Sequence, residues 1–255
     1  MSDTTRPSSF LATKGLFPDQ TYRAFLHWDL QASVEDNVRE LRRQNTVGGP
    51  SIGWLKDFGK ILLRRFGEAG PPAPLVDLAK TGCDMTVWRP LLLWHGCESD
   101  ALLDAFFSDW LFSEHERGAV KVSRDAAESF VRDFVARAGF GAWSDSNVTQ
   151  SSSGLLRTAV AFGLLNNGRQ RLFSDYVIPH ESMLYLLHYL FRMEQSSVKV
   201  ISSPRWRIFM MSPAHVESEL LRLHQLHKVE FHRAGSLVEL KLPFASESAF
   251  ARSLS

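Results

Sequence analysis

Cysteine is scarce in this chain: Cys83 and Cys97 are the only two among 255 residues. That excludes a disulfide scaffold and leads us to expect reduced, unpaired thiols in a cytoplasmic protein. Long apolar runs are missing as well. A membrane span needs roughly 18 consecutive apolar residues, and here every apolar piece is interrupted by Arg, His or Asp. The opening MSDTTRPSS has no apolar core of a signal peptide. Net charge is nearly absent, at +1, so affinity for a polyanion would have to come from uneven distribution. Catalytic and metal patterns are lacking too. Cys83, His95 and Cys97 include no CxxC pair, and His95 and Cys97 point in different directions on one helix. His215-Val216-Glu217 has the HxE of zinc deaminases but no PCxxC partner, and His180-Glu181 lacks the HExxH spacing. There is no GxxxxGK loop, no GxGxxG after a strand and no GxSxG elbow. His224, His227 and His232 read as a surface cluster. We therefore expect no catalytic residue, no metal and no cofactor.

What is present is a packed globular composition, 44% hydrophobic and 22% charged. The chain is organised around Leu75 to Val135. Within it Leu102, Leu103, Phe106, Phe107, Trp110 and Leu111 recur at helical spacing, with Asp100, Asp104 and Ser108 opposite. Ser99 is the expected N-cap and Gly118 the stop. Ser123 starts the next helix, with Phe130, Val131, Phe134 and Val135 facing inward. Trp88, Trp94, Trp110 and Phe134 are expected in the core, because they sit in an acidic segment that would repel phosphate.

Along the rest of the chain, residues 1–9 read as a disordered tail. A helix is expected over Gln20–Leu30, with Tyr22, Phe25, Leu26 and Leu30 inward. Ser33 and Ser51 can cap the next two helices, separated by the turn at Thr46 to Ser51, which is the outline of a helix-turn-helix or of any helical hairpin. Residues 67–74 (GEAGPPAP) form a linker. Pro90 either lies in the first turn of its helix or ends a shorter one. Val120 to Val122 suits a short strand. A domain boundary is expected near Gly139 to Gly141, separating an N-terminal helical domain (10–140) from a C-terminal winged-helix-like one (141–255). In the second, SSSGLLRTAVAFGLL reads as a helix stopping at Asn166–Gly168, with a wing strand before Pro179. Glu181 to Met193 is a buried helix, and Trp206–Met211 a strand. Pro213 opens a helix with Val216, Leu220, Leu223 and Leu226 inward. Val229 to Leu242 alternates about a turn at Ala234 to Ser236 and forms the clearest hairpin. Residues 245–255 are expected to fray. The fold class is mainly α with short β-hairpins, in two domains.

Charge is unevenly placed. Arg39 to Arg65 holds seven basic and two acidic residues, whereas Asp77 to Asp133 holds six basic and eleven acidic ones. Arg157, Arg169 and Arg171 are the only charges between Ser146 and Ser174, and Lys199, Arg205 and Arg207 the only ones between Gln195 and Val216. Lys and Arg that neutralise duplex phosphates release counterions, and hydroxyls and free N–H groups at a helix start add contacts, which Thr149 to Ser153 would offer. The expected DNA-binding residues are Arg42, Arg43, Lys56, Lys60 and Arg64 from the first domain and Arg157, Arg169, Arg171, Arg205 and Arg207 from the second. The alternative is a solubilising surface.

LVDLAKTGCDMTVWRPLLLWHGCESDALLDAFFSDWL, followed by SRDAAESFV, resembles the BrxA family, a small component of bacterial BREX phage-exclusion systems. The resemblance is clearest over Leu75 to Val135. It implies a cytoplasmic DNA-binding protein of helical, winged-helix-like domains, and it supplies no catalytic residues. Taken with the charge pattern, it leads us to expect a non-enzymatic protein that binds double-stranded DNA mainly through the phosphate backbone, alongside other BREX proteins. Two alternatives stand beside it: a protein–protein adaptor using the acidic, aromatic-rich central segment, and an RNA binder of the NusB-like kind.

Overall fold

Two short helices, α1 (Phe10–Lys14) and α2 (Pro18–Leu26), begin the fold. The structure is a computed structural model that describes residues 8–254 apart from Phe140, Arg169 and Ser236. The expected tail therefore lies outside the described residues except for Ser8 and Ser9. Next come α3 (Val34–Gln44) and α4 (Ile52–Phe66), each opened by the expected serine. Ser33 accepts from the Asp36 N–H at 3.0 Å and Ser51 from the Trp54 N–H at 3.2 Å, caps worth about 1 kcal/mol each. α2 stops short of the expected Leu30, and Leu26 and Leu30 are exposed. The Asn37 side chain captures the backbone there instead, accepting from the Asp29 N–H at 2.7 Å and donating to its carbonyl at 2.8 Å, while Trp28 takes the buried place.

The centre of the molecule is α6 (Met85–Ser99), which follows α5 (Ala73–Lys80). Ten of the fifteen residues of α6 are buried, so the helix is apolar on nearly every side and needs neighbours all round. α2, α4 and α5 supply several of them. Pro90 sits in its second turn and neither opens nor ends the helix. A mid-helix proline costs about 3 kcal/mol in an isolated helix; enclosure by the surrounding helices offsets it here. Trp88 anchors the packing by donating from Nε1 to the Pro18 carbonyl at 3.0 Å.

After α6 the chain forms one continuous rod: α7 (Ala101–Asp104), a π-helical turn (Ala105–Leu111) and α8 (Phe112–Glu116). Its N-cap is Asp100, which accepts from the Leu103 N–H at 3.0 Å; the expected cap, Ser99, ends α6 and donates to the Gly96 carbonyl. The wide π turn buries Phe106, Phe107, Ser108 and Leu111 together. Strand β1 (Lys121–Val122) leads to α9 (Arg124–Arg137), capped by Ser123 as expected.

α10 (Asp145–Ala161) begins before the expected Ser151 and ends at Phe162–Gly163, not at Asn166–Gly168. Gly163 has φ +80°, and that left-handed turn stops the helix. The strand expected to run up to Pro179 is two residues long, β2 (Arg171–Leu172), and its partner is β1 from before α9. Ser151, Ser152 and Gly154 are buried, because α10 lies against α1 and α9. At Gly154 a Cβ would fall 1.8 Å from the Ala12 carbonyl oxygen, so the two backbones touch and only glycine fits.

α11 (His180–Glu194) and α12 (Ser197–Ile201) follow, α11 packing on α6. The segment expected as a strand over Trp206–Met211 is instead a 3₁₀ helix (Pro204–Phe209). Pro204 opens it, Ser203 caps it, and Trp206 Nε1 donates to the Val200 carbonyl at 2.8 Å. Its apolar side chains converge on the core in place of alternating. α13 (Pro213–Gln225) buries Val216, Leu220 and Leu223 but leaves Leu226 exposed. The hairpin forms as expected from β3 (Glu230–Ala234) and β4 (Leu237–Lys241), with Phe231 opposite Leu240; Ser236 of the turn lies outside the described residues. α14 (Glu247–Arg252) corrects the expectation of a frayed end: it packs on α5 and α11, with Phe250 and Ala251 buried. The protein is thus mainly helical, 64%, with two small antiparallel sheets among the described residues. Trp88 and Trp94 are fully buried; Trp110 and Phe134 pack half-buried against the same core. Among the described residues no helix is long and apolar enough to cross a membrane. Cys83 and Cys97 are unbridged.

Candidate nucleic-acid interface

Pairing of β1 with β2, distant in the chain, decides where the basic side chains meet. Lys121 stands opposite Leu172 and Val122 opposite Arg171. This brings Lys121 and the first residue of α9, Arg124, beside Arg171 and beside Arg157 on the exposed side of α10. Together with Ser123, Ser153 and Gln170 they line a cleft of about 500 Å³. Lys121, Arg157 and Arg171 make no ion pair with any described residue. Arg124 is partly neutralised by Glu128 at 3.1 Å, and Glu128 also accepts from the Thr149 hydroxyl. The cleft opens at the N-terminal end of α9, where the helix dipole adds positive potential.

The expected site residues fall into separate groups. Arg157 and Arg171 share this cleft; Arg169 lies outside the described residues. On α4, Lys56, Lys60 and Arg64 are exposed along one side. Lys60 pairs with Asp57 at 3.3 Å, and Arg64 donates to the Ser8 hydroxyl and stacks over the Phe10 ring. On α3, Arg43 pairs with Glu40 at 2.6 Å, whereas exposed Arg42 has no ion pair with a described residue. Arg205 is turned inward: it pairs with Asp104 at 2.7 Å, donates to the Trp94 carbonyl at 3.3 Å and lies over the Trp94 ring. Arg207 is exposed over the Phe112 ring. The hydroxyls expected at 149–153 as phosphate contacts are mostly spent, since Ser151 and Ser152 are buried and α10 starts earlier, at Asp145.

Lys121 and Arg124 were hidden in the sequence by the acidic total of their segment. A local signal marks them all the same: two basic residues flank the Ser123 cap, where a helix start favours acids.

Fold and cleft together define a mainly helical protein with a small two-stranded sheet carrying a basic groove. The profile of the BrxA family matches residues 9–188, more than half of the chain. The chain belongs to the BrxA family, which is associated with BREX phage defence. Among solved structures, an uncharacterized protein from Magnetospirillum magneticum aligns with a TM-score of 0.62 at 16% identity, over 81% of this chain and 100% of that one; at that identity the likeness concerns the fold. A search of curated proteins found no match.

Proposed function

We propose that the chain is a non-enzymatic, double-stranded DNA-binding accessory protein of BREX defence that grips the phosphate backbone. The observation carrying this reading is the convergence of Lys121, Arg124, Arg157 and Arg171, from four elements, in one cleft at a helix N-terminus. A groove of fixed cations suits a line of phosphates. Little base readout follows, since the cleft supplies no Asn and Gln set placed for major-groove edges. The order of α13 followed by the β3–β4 hairpin is that of a winged helix and lends the reading further support. Exposed Lys56, Lys60, Arg64 and Arg42, on α3 and α4, form a separate group of cations that the proposal includes as a second contact. The adaptor reading has less to stand on, because most of the central aromatics it would use are buried.

The test is a salt titration of duplex DNA binding, with duplex RNA as a parallel arm. Arg157→Ala/Arg171→Ala should lower affinity and flatten the slope of log K against log salt by about 2, one per lost phosphate contact. Lys56→Ala/Lys60→Ala should act in the same direction if the α4 face takes part. Unchanged affinity and slope in the Arg157/Arg171 variant would remove the cleft from the interface. No binding by the wild type at low salt would defeat the DNA reading itself.

A further inference from the structure

Strand β2 outlasts both of its neighbours. Phe173 donates to the Val120 carbonyl at 3.1 Å on one side, and Ser174 to the Leu164 carbonyl at 3.0 Å on the other. Past Ser174 those two segments lead back into α8 and α10. The chain itself runs on without a turn or bend to Pro179, which caps α11. Burial alternates along this strap: Asp175 and Val177 are exposed, Tyr176 is half-buried and Ile178 is buried. Such a period of two is that of a strand. Yet Asp175, Tyr176, Val177 and Ile178 make no backbone hydrogen bond with any described residue. An open row of N–H and C=O groups is a template on which another extended chain can pair.

A groove of about 260 Å³ accompanies the strap. Residues 174–178 line it from one element, and His215, Ser218 and Glu219 of α13 from another. Its apolar lining comes from Phe209, Met210 and Met211, all buried, and from the Tyr176 ring, which stacks on Phe209 with centroids 6.2 Å apart. Adjacent methionines make an adaptable surface for an incoming apolar side chain. The space is smaller than a site for a whole drug-sized ligand, which starts at roughly 300 Å³, and suits the side chains of a segment passing over it.

Charge sets the sign of the partner. The described lining holds no Lys and no Arg. Asp175 is exposed and makes no ion pair with a described residue. Arg222 donates to Glu219 at 2.9 and 2.5 Å, both times to Oε2, so Oε1 is left as an acceptor. We propose that strap and groove form a docking site for an extended, basic peptide segment of another protein. Its main chain pairs with residues 175–178, an apolar side chain covers Phe209, Met210 and Met211, and a Lys or Arg meets Asp175 and Glu219. The groove shares no residue with the basic cleft, so the proposal does not depend on DNA binding.

The experiment pans the full-length protein against a displayed library of random octapeptides, then titrates the enriched peptides into ¹⁵N-labelled protein. We expect sequences that alternate apolar residues with Lys or Arg, and saturable amide shifts confined to residues 174–178 and 209–219. Asp175→Lys, a surface change that breaks no bond of the fold, should weaken binding by about tenfold or more. Val177→Pro deletes a backbone donor that the fold does not use and should weaken it by up to about tenfold. Both variants should keep the wild-type Tm, and Arg157→Ala/Arg171→Ala should bind the peptides as the wild type does. Failure of any sequence to enrich overturns the proposal, as do enrichment of acidic sequences, shifts centred elsewhere, or undiminished binding by either strap variant. A dimer seen by sedimentation of the free protein and dissociated by Asp175→Lys would give the groove to a second copy and overturn it as well.

Discussion

Gly154→Ala tests the packing of the molecule at its tightest point. Taken locally, the change should stabilise: in a helix interior alanine is favoured over glycine by about 0.5–1 kcal/mol. The tertiary contact reverses the sign. The new methyl would lie 1.8 Å from the Ala12 carbonyl oxygen and 2.8 Å from its carbon, well inside van der Waals contact, and the obstacle is backbone, which cannot swing away. Either α1 and α10 separate locally, at the roughly 1–3 kcal/mol of an overpacked site or more, or α1 detaches. Detachment exposes Leu11 and Leu16, both nearly fully buried, at about 1.5–3 kcal/mol each, which sets a ceiling of about 6 kcal/mol. After the propensity gain, we expect net destabilisation of about 2–4 kcal/mol. Urea unfolding would report it, with hydrogen exchange at residues 10–16 showing whether α1 has come loose. Gly96→Ala is the control: there the new methyl meets the Leu16 methyl groups at 2.9 Å, tips of a flexible side chain that can shift, so its cost should be clearly smaller. If Gly154→Ala were stabilising by the propensity term alone, the α1–α10 contact would be wrong, and with it the burial of Ser151 and Ser152 that removes them from the DNA-contact set.

Arg205→Ala should cost about 2 kcal/mol, since it strands Asp104 in a partly buried site and removes the stack on Trp94; the salt slope of DNA binding should not change, and a reduced slope would return Arg205 to the interface. His188 is buried, and burial lowers its pKa from 6.5 to about 4 against an opposing pull from Glu247. Its folded pKa lies below the unfolded value, so the unfolded chain takes up the proton first. Stability contributed by neutral His188 is therefore intact above about pH 6.5 and lost as pH falls towards 4, by something on the order of 3 kcal/mol. His188→Phe, which keeps a ring against Phe250, should flatten the Tm profile in that window, and an unchanged profile would refute the assignment. Trp110→Ala removes ring contacts to Phe106 and Phe130 at 5.2 and 5.3 Å and should destabilise by about 3 kcal/mol while leaving DNA affinity intact; the opposite pattern would make Trp110 a base-stacking platform.

Much of the local structure was legible in the residues alone. Ser33, Ser51 and Ser123 act as caps because capping depends on a hydroxyl and the N–H three residues on. The 230–241 hairpin was readable because period-two alternation about a Gly-containing turn is a local pattern. The aromatic sequence of Leu75 to Val135 carried the family resemblance that the profile match bears out. Where reading failed, a partner distant in sequence decided the outcome. Trp206 to Phe209 became a 3₁₀ turn because Trp206, Ile208 and Phe209 all had core to reach. Phe250 and Ala251 were pinned by α5 and α11, which lie far from them in the chain.

The same division runs through the functional residues. Composition determined that this protein could not rely on disulfides, and the distribution of Arg and Lys showed that cation-rich segments exist. Which cations act together was decided only by tertiary structure. Lys121 and Arg171 meet because β1 and β2, far apart in the chain, pair with each other, and Arg205 leaves the surface because Asp104 and Trp94 wait for it inside. A charge count along a sequence adds neighbours in the chain, whereas a phosphate or a ligand feels neighbours in space, and those are set by the packing of helices around α6.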